Sequence, residues 1–274
     1  MRLHWLILAG VLLAAPPLSA QVPLPSYGTP GAPAYQPPGQ PAPGLDPANN
    51  PLDALLMRWE QEMTLVQSLD AELTRTTDDK TFGTMEVYMG KAKYLKPNLA
   101  MLEMRKKDNP ETFEKYVCTG TYLYEYVPRN KEIRVHELPP PKPGQVADDN
   151  FLSFLFGMKA EEAKRRYDLK LVKEDAYYLY VEVLPRSPAD KADFQRARLV
   201  LNKKTFLPRQ LAFEQPNGNQ ILWDIPRIVN GAQVTRTEFE RPEIPPGWNM
   251  KRVVHATEAN PQEEVPPRVV RPNQ

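Results

Sequence analysis

Two stretches decide the fold of this chain: Y-L-K-P-N-L-A-M-L-E-M (94–104) and C-T-G-T-Y-L-Y-E-Y-V-P-R-N-K-E-I-R-V-H-E-L (118–138). In the second stretch three tyrosines alternate with other residues, a P-R-N-K turn follows, and apolar residues then alternate again. Alternating aromatic and β-branched residues on both sides of a Pro/Asn turn are typical of paired antiparallel strands. The sequence therefore predicts a β-hairpin here, and no residue of the hairpin has a catalytic pattern.

The two ends of the 274-residue chain lack the composition of a folded domain. Residues 1–20 combine an early Arg, a short apolar run and small final residues, which predicts a secretory signal peptide. Residues 21–49 are rich in Pro, Gly and Ala and predict a disordered linker. Residues 254–274 are Pro-rich and charged, which predicts a disordered tail. The folded domain is therefore expected at 50–253.

Charge and composition exclude several classes of function. The 35 Lys+Arg residues balance 34 Asp+Glu, so the chain lacks the basic excess of nucleic-acid binders. Cys118 is the only cysteine, so no internal disulfide can form. The sequence has no HExxH, GxSxG or P-loop motif, and its acidic pairs are adjacent residues that point apart. We therefore expect no catalytic residue, no metal site and no cofactor, and hence no enzyme.

Hydrophobic periodicity predicts one N-terminal helix and two series of strands. Asn50 and Pro51 suit a helix start, and apolar residues then recur at three-and-four spacing. The expected strands are 70–77, 81–89, 93–105, 112–118, 121–127 and 131–138 and, after a helical segment at 149–167, 169–174, 177–184, 195–202, 206–214, 220–229 and 233–240. A sheet of this size should curl. The predicted fold is mainly β with helices (α+β): a curled antiparallel sheet, or incomplete β-barrel, of about 11–12 strands with an N-terminal helix and a helical lid.

Five stretches follow one another in an order that is typical of a known family. They are 65–75 (L-V-Q-S-L-D-A-E-L-T-R), 94–104, 117–128 (V-C-T-G-T-Y-L-Y-E-Y-V-P), 198–211 (R-L-V-L-N-K-K-T-F-L-P-R-Q-L) and 239–248 (F-E-R-P-E-I-P-P-G-W). In this order the chain resembles the carriers of outer-membrane lipoproteins (LolA/LolB-like) and an uncharacterised relative of the planctomycete type. The resemblance implies an incompletely closed β-barrel with helices as a lid over an apolar cavity. It also implies a contact between the lid and Lys96, a position where the carriers often have Arg.

One face of each strand should point into such a cavity. Alternation within the strands predicts these apolar, ligand-binding residues: Met85, Val87, Met89, Leu102, Met104, Tyr122, Tyr124, Leu179, Val181, Leu211, Phe213 and Trp223. The lid residues are expected to be Phe151, Phe154, Leu155 and Lys96. Burial of an acyl chain in the cavity would contribute ~0.8 kcal/mol of binding free energy per CH₂ group. The same side chains could instead pack against one another as a solid core.

Two functions remain open at this point, and both place the protein in the periplasm or elsewhere in the cell envelope. The first is a non-catalytic, monomeric carrier or binder of lipoprotein acyl chains or other amphiphiles, with a lipidated protein or a lipid as partner. The second is a structural or protein-interaction module of the cell envelope, with a filled barrel core and envelope proteins as partners. Neither hypothesis includes nucleic acid, a transmembrane segment or a cofactor.

Overall fold

A computed structural model describes residues 44–138 and 159–253 of the chain. Helix α1 (Pro51–Leu65) begins where the side chain of Asn50 accepts a hydrogen bond from the backbone N–H of Leu52. Proline at the first helical position fits this start, because its missing N–H would have no partner inside the helix. The buried residues of α1 recur at helical spacing and give the helix one apolar side: Leu55, Leu56, Trp59 and Met63.

Twelve strands form one sheet. The first series comprises β1 (Ser68–Asp79), β2 (Thr84–Leu95), β3 (Leu99–Lys106), β4 (Phe113–Thr119), β5 (Tyr122–Val127) and β6 (Glu132–Glu137). The second series comprises β7 (Tyr167–Glu174), β8 (Tyr178–Pro185), β9 (Arg196–Asn202), β10 (Pro208–Glu214), β11 (Gln220–Asn230) and β12 (Asn249–Val253). Two short helices, α2 (Ala160–Arg166) and α3 (Pro188–Asp193), precede β7 and β9.

The order of strands across the sheet is β12-β6-β5-β4-β3-β2-β1-β11-β10-β9-β8-β7. Strands that follow one another within β1–β6 and within β7–β11 pair as antiparallel hairpins. Two pairings depart from this rule: β1 pairs antiparallel with β11, and β12 pairs parallel with β6. Strands β12 and β7 are the two ends of the sheet and do not pair with each other, so the barrel stays open. The predicted fold class, a curled sheet of about 11–12 strands with helices, is confirmed.

Each face of the sheet carries its own apolar cluster. We call the face on which α1 packs the inner face, and it holds the main core of the domain. The opposite, outer face carries a smaller cluster around Val117, Tyr124 and Ile133. The indole of Trp248 covers this outer cluster, with ring centroids 6.3 Å from Phe113 and 5.9 Å from Tyr126. The sheet is therefore apolar on both sides of its β4–β6 region.

The predicted continuous strand 93–105 is wrong, because a turn at 96–98 separates β2 from β3. Pro97 cannot donate a hydrogen bond to a neighbouring strand, so pairing stops at Leu95. The side chain of Asn98 instead donates to the backbone oxygen of Gly120, at 3.0 Å. This contact ties the β2–β3 turn to the β4–β5 turn.

The predicted strand at 233–240 is also wrong. Strand β11 continues to Asn230 and pairs with β1, so no hairpin partner follows it. The chain crosses the outer face instead, with a short 3₁₀ turn at Arg236–Phe239 and an ion pair between Glu238 and Lys93 of β2. It then forms β12, a strand that the sequence analysis did not predict because the preceding P-E-I-P-P-G-W stretch interrupts any ladder.

Of the predicted helical segment 149–167, the structure contains α2, and β7 begins directly after it at Tyr167. The rest of that segment lies outside the described residues, as do the predicted signal peptide, the predicted tail and the linker up to residue 43. Among the residues that the structure describes, no helix has the length and apolar character needed to cross a membrane.

Candidate ligand-binding site

The inner face brings together seven of the twelve predicted cavity residues. All seven are buried in the main core: Leu102, Met104, Leu179, Val181, Leu211, Phe213 and Trp223. The strand register explains why distant residues share this face: Leu211 of β10 pairs with Trp223 of β11, and Trp223 pairs with Arg75 of β1. Paired residues in a sheet point to the same side. A ligand contact by any of the seven stays a prediction.

Helix α1 fills the space over the second series of strands. A small apolar cavity of about 10 Å³ remains between the helix and the sheet. Its lining residues are Leu55, Leu56, Trp59, Ala163, Tyr167, Leu169, Val181, Val183 and Leu199. A volume of this size holds about one water molecule. An acyl chain could therefore enter here only if α1 moved away from the strands.

Three predicted cavity residues lie on the outer side of β2. Met85 and Met89 are 67% and 51% exposed. Tyr88, whose side chain points to the other side of the strand, is buried. Val87 shares the phase of the two methionines and is partly buried. Because side chains alternate along a strand, an inward Tyr88 forces these three residues outward. The predicted inward direction of Met85, Val87 and Met89 thus differs from the structure.

Tyr122 and Tyr124 also point away from the inner face. Tyr124 pairs with Val117 of β4, and both belong to the outer cluster. Tyr122 packs against the same cluster. The sequence does alternate as predicted in β5, but alternation alone does not say which of the two faces is the inner one. The two tyrosines form part of the outer core and not of a wall on the α1 side.

Contacts from two lysines hold the ends of α1. The Nζ atom of Lys96 donates to the backbone oxygen of Thr64 in the last turn of α1, at 2.8 Å. A cation at this place also interacts favourably with the helix dipole. At the other end, Nζ of Lys164 in α2 lies 2.9 Å from the carboxylate of Asp53. Lys96 therefore contacts α1. The predicted lid residues Phe151, Phe154 and Leu155 lie outside the described residues, so a contact between Lys96 and the lid stays a prediction.

Asp53 is buried, and its surroundings shift its pKa. Burial alone would raise the pKa of this carboxyl, but a hydrogen bond from the backbone N–H of Asp46 and the ammonium of Lys164 outweigh burial and lower it. The carboxylate is thus held in its charged form at the start of α1, where negative charge is favourable. Asp53 connects three parts of the chain: α1, α2 and the segment before α1.

A polar cluster interrupts the apolar inner face. The guanidinium of Arg75 makes two hydrogen bonds to the carboxylate of Glu114, of 2.8 and 2.6 Å. It lies between two aromatic rings, 4.6 Å from the centroid of Tyr88 and 5.4 Å from that of Trp223. Burial would lower the pKa of Arg75, but the bonds and charge of Glu114 raise it. The Nε atom of Arg75 has no hydrogen-bond partner within the described part of the chain.

The cluster continues across β4 to β5. Burial raises the pKa of Tyr116, and the nearby negative charges of Glu114 and Glu125 raise it further. Tyr116 pairs with Glu125 in the sheet, so both side chains are on the inner face. The Oε2 atom of Glu125 lies 3.5 Å from Nε2 of His136 and 3.8 Å from Nη1 of Arg134, and it forms no hydrogen bond to any described residue. We call Arg75, Glu114, Tyr116 and Glu125 the inner polar cluster.

The sequence analysis missed the inner polar cluster, although one signal was present. Leu69, Ala71 and Leu73 alternate in β1 as inner residues, and Arg75 continues their phase. An arginine at a core position needs a buried partner. The identity of that partner could not be predicted, because Glu114 follows from the register of three strand pairings.

A groove lies on the solvent side of α1, with a volume of about 650 Å³. Its lining residues are Leu45, Met57, Glu60, Gln61, Thr64, Leu65, Lys159 and Glu161. It is open and mixed in polarity, and Glu60 already accepts a hydrogen bond from the backbone N–H of Ala160.

Across 44–138 and 159–253, no group of three or more His, Cys, Asp or Glu side chains is arranged to hold a metal ion.

Comparison with known proteins finds matches among solved structures. No protein-family model matches the chain, and no curated protein matches it. Among solved structures, an uncharacterized conserved protein from Thermus thermophilus matches with a TM-score of 0.47 and 13% identity, over 74% of this chain and 100% of that one.

Two further matches carry names from the carrier family. A putative outer membrane lipoprotein-sorting protein domain from Vibrio parahaemolyticus matches with a TM-score of 0.36 and 11% identity, over 68% of this chain and 96% of that one. A LolA superfamily protein from Nitrosomonas europaea matches with a TM-score of 0.34 and 11% identity, over 69% and 96% of the two chains.

Proposed function

We propose that this chain is an exported, non-catalytic binder or carrier of acyl chains in the periplasm, and that the inner face of its open sheet is the binding surface. One observation carries this proposal: an apolar sheet face is covered by α1, whose two ends are held by lysine contacts. A helix held in this way can exchange its contacts with the sheet for contacts between the sheet and a ligand.

The apolar area on the inner face supports an acyl ligand in particular. Leu102 and Met104 are buried on β3, and Leu211 and Trp223 are buried on the opposite half of the sheet. An acyl chain placed against them gains ~0.8 kcal/mol for each buried CH₂ group, without any directional requirement. Lipidated proteins and free lipids both offer such chains. Export to the periplasm is supported by the signal-peptide pattern of residues 1–20.

A second candidate function is supported by the small size of the cavity under α1, about 10 Å³. A core this well filled is what a protein-interaction module of the cell envelope would have, since it needs no internal ligand. In that case α1 would be a permanent part of the core. The two candidates therefore differ in one property, namely whether α1 leaves the sheet.

Ligand binding separates the two candidates. The protein, purified gently from the periplasm, is extracted with organic solvent, and the delipidated protein is then titrated with a fluorescent fatty-acid probe. We expect co-purified lipid and saturable binding. Absence of both would leave the interaction module as the remaining candidate.

Two substitutions locate the binding surface. Leu102→Glu and Trp223→Glu each place a charge on the inner face and should abolish probe binding in folded protein. Met89→Glu is the matched control, because Met89 is exposed on the outer side of β2, and it should bind as the native protein does. Equal binding in all three variants would contradict a site on the inner face.

A further inference from the structure

The inner polar cluster contains two buried atoms that lack a hydrogen-bond partner in the described part of the chain. Arg75 Nε is a donor, and Glu125 Oε2 is an acceptor. Buried polar groups without partners are uncommon, and each of them calls for an explanation. Arg75 Nε can therefore meet an acceptor group of a ligand, and Glu125 Oε2 can meet a donor group.

The side chains of the cluster differ in their exposure to solvent. The side chains of Glu114 and Glu125 keep 15% and 14% of their exposure, whereas Arg75 keeps 7%. Arg75 is thus enclosed by its neighbours, while the side chains of Glu114 and Glu125 keep a small accessible part. The Nε atom of Arg75 and the Oε2 atom of Glu125 are themselves buried, so a ligand would have to displace neighbouring side chains to reach them.

Charge indicates the kind of ligand group that would fit. Arg75 and Glu114 neutralise each other through two hydrogen bonds. The Nε–H of Arg75 has no hydrogen-bond acceptor among the described residues. An anionic group would have to compete with Glu114 and would also face the negative charge of Glu125. A neutral carbonyl can accept from Nε–H without disturbing the ion pair. An adjacent N–H or O–H can then donate to Glu125.

We propose that the inner polar cluster is a subsite for the neutral linkage group of an acyl amphiphile, an amide or a hydroxy ester, with the acyl chain lying on the apolar part of the inner face. Arg75 donates to the carbonyl oxygen of the linkage, and Glu125 accepts from its N–H or O–H. This inference rests on the proposed function and specifies its ligand. It also requires no chemical change in the ligand.

Competition between ligands of equal chain length tests the subsite. Dodecanamide, dodecanoate and dodecane are each titrated against the full chain loaded with Nile red, a neutral fluorescent probe. We expect dodecanamide to displace Nile red at about tenfold lower concentration than dodecane, the effect of about one hydrogen bond to a charged group. Dodecanoate should be weaker than dodecanamide, because Glu114 and Glu125 repel an anion.

The variant Arg75→Met/Glu114→Leu removes the donor and its counter-charge together, so that neither partner of this ion pair is left buried without the other. It should still bind dodecane but should lose the preference for dodecanamide. The control is Arg196→Met/Glu214→Leu, which makes the same change at an exposed cross-strand pair and should keep the preference.

Three outcomes would overturn the subsite. They are equal displacement by dodecanamide and dodecane in the native protein, the strongest displacement by dodecanoate, and an unchanged preference in the Arg75→Met/Glu114→Leu variant. If Nile red and all three ligands fail to bind, the proposed function falls together with the subsite. Binding of dodecane without any preference removes the subsite alone and leaves the carrier function in place.

Discussion

Arg75 on β1 reaches over two intervening strands to Glu114 on β4 and binds it with two hydrogen bonds of 2.8 and 2.6 Å. Neighbouring strands are about 4.8 Å apart, so three steps in a flat sheet would separate the two backbones by roughly 14 Å. The contact therefore depends on the curl of the sheet, and it spans the inner face of the first strand series.

Arg75 and Glu114 should stabilise the fold only when both are present. Arg75→Met alone leaves the carboxylate of Glu114 without its cation, and we expect the free energy of unfolding to fall by about 3 kcal/mol. Adding Glu114→Leu should recover most of the loss, because an apolar pair of similar volume can replace a buried ion pair. Chemical denaturation of the three proteins checks this. A double variant no more stable than the single one would argue against the explanation.

Gly90 should be irreplaceable. A Cβ atom at Gly90 would lie 1.9 Å from the backbone oxygen of Glu103, so β2 and β3 would have to move apart. We expect Gly90→Ala to cost about 2 kcal/mol or more in the free energy of unfolding, as overpacking against backbone does. Gly44→Ala is the control, because nothing lies within 4 Å of that position. Similar thermal unfolding of the two variants would contradict the prediction.

The contact of Lys96 with α1 should control access to the inner face. Lys96→Met removes the hydrogen bond to the backbone oxygen of Thr64 and should loosen the last turn of α1 by about 1 kcal/mol or less. Amide hydrogen exchange in α1 should become faster, and the fatty-acid probe should bind faster. Lys96→Arg keeps a donor and a positive charge and should stay close to the native protein. Unchanged exchange in Lys96→Met would show that the contact has no such role.

Acid should release the start of α1 through Asp53. Because its pKa in the folded protein lies below the ordinary value of 3.8, Asp53 stabilises the fold fully above that pH. The stabilisation is lost as the pH falls through the lowered pKa. Asp53→Asn should therefore be less stable than the native protein at pH 7, and the difference should shrink below pH 3.8.

Unfolding curves of the native protein and of Asp53→Asn, recorded between neutral pH and about pH 2, measure this effect. Asp78→Asn is the control, because it changes an ion pair in which Lys80 is 52% exposed. Its free energy of unfolding should vary with pH as that of the native protein does. A constant difference between the native protein and Asp53→Asn across the range would rule out the assigned role of Asp53.

Much of the fold could be predicted from local sequence, whereas the direction of individual strands could not. The helix start at Asn50-Pro51 and the hairpin around 128–131 depend on neighbouring residues, and both are confirmed. The phase of β2 depends on the register between strands, which local alternation does not reveal, so Met85 and Met89 were assigned to the wrong face. In a sheet with an apolar cluster on each side, alternation of tyrosines is equally compatible with both faces.

The residues of the candidate site also differ in whether local sequence predicts them. The apolar inner residues of β8, β10 and β11 could be predicted, because these strands alternate between apolar and polar residues. The inner polar cluster could not, since it joins three strands through side chains that are far apart in the chain. The strand β12 was missed for a similar reason: its partner β6 comes from the first strand series, and it pairs in parallel.

The pairing of β1 with β11 has a consequence for how the chain folds. Strands β1–β6 and β7–β11 can each assemble from hairpins between neighbours, but Leu69 meets Asn230 only after nearly the whole domain has been made. Pairings between distant residues form slowly, because a long loop must close first. Until that step, β1 and β11 are two unprotected edges, each able to pair with another chain. During synthesis, the molecule therefore passes through a stage at which aggregation competes with the pairing of β1 and β11.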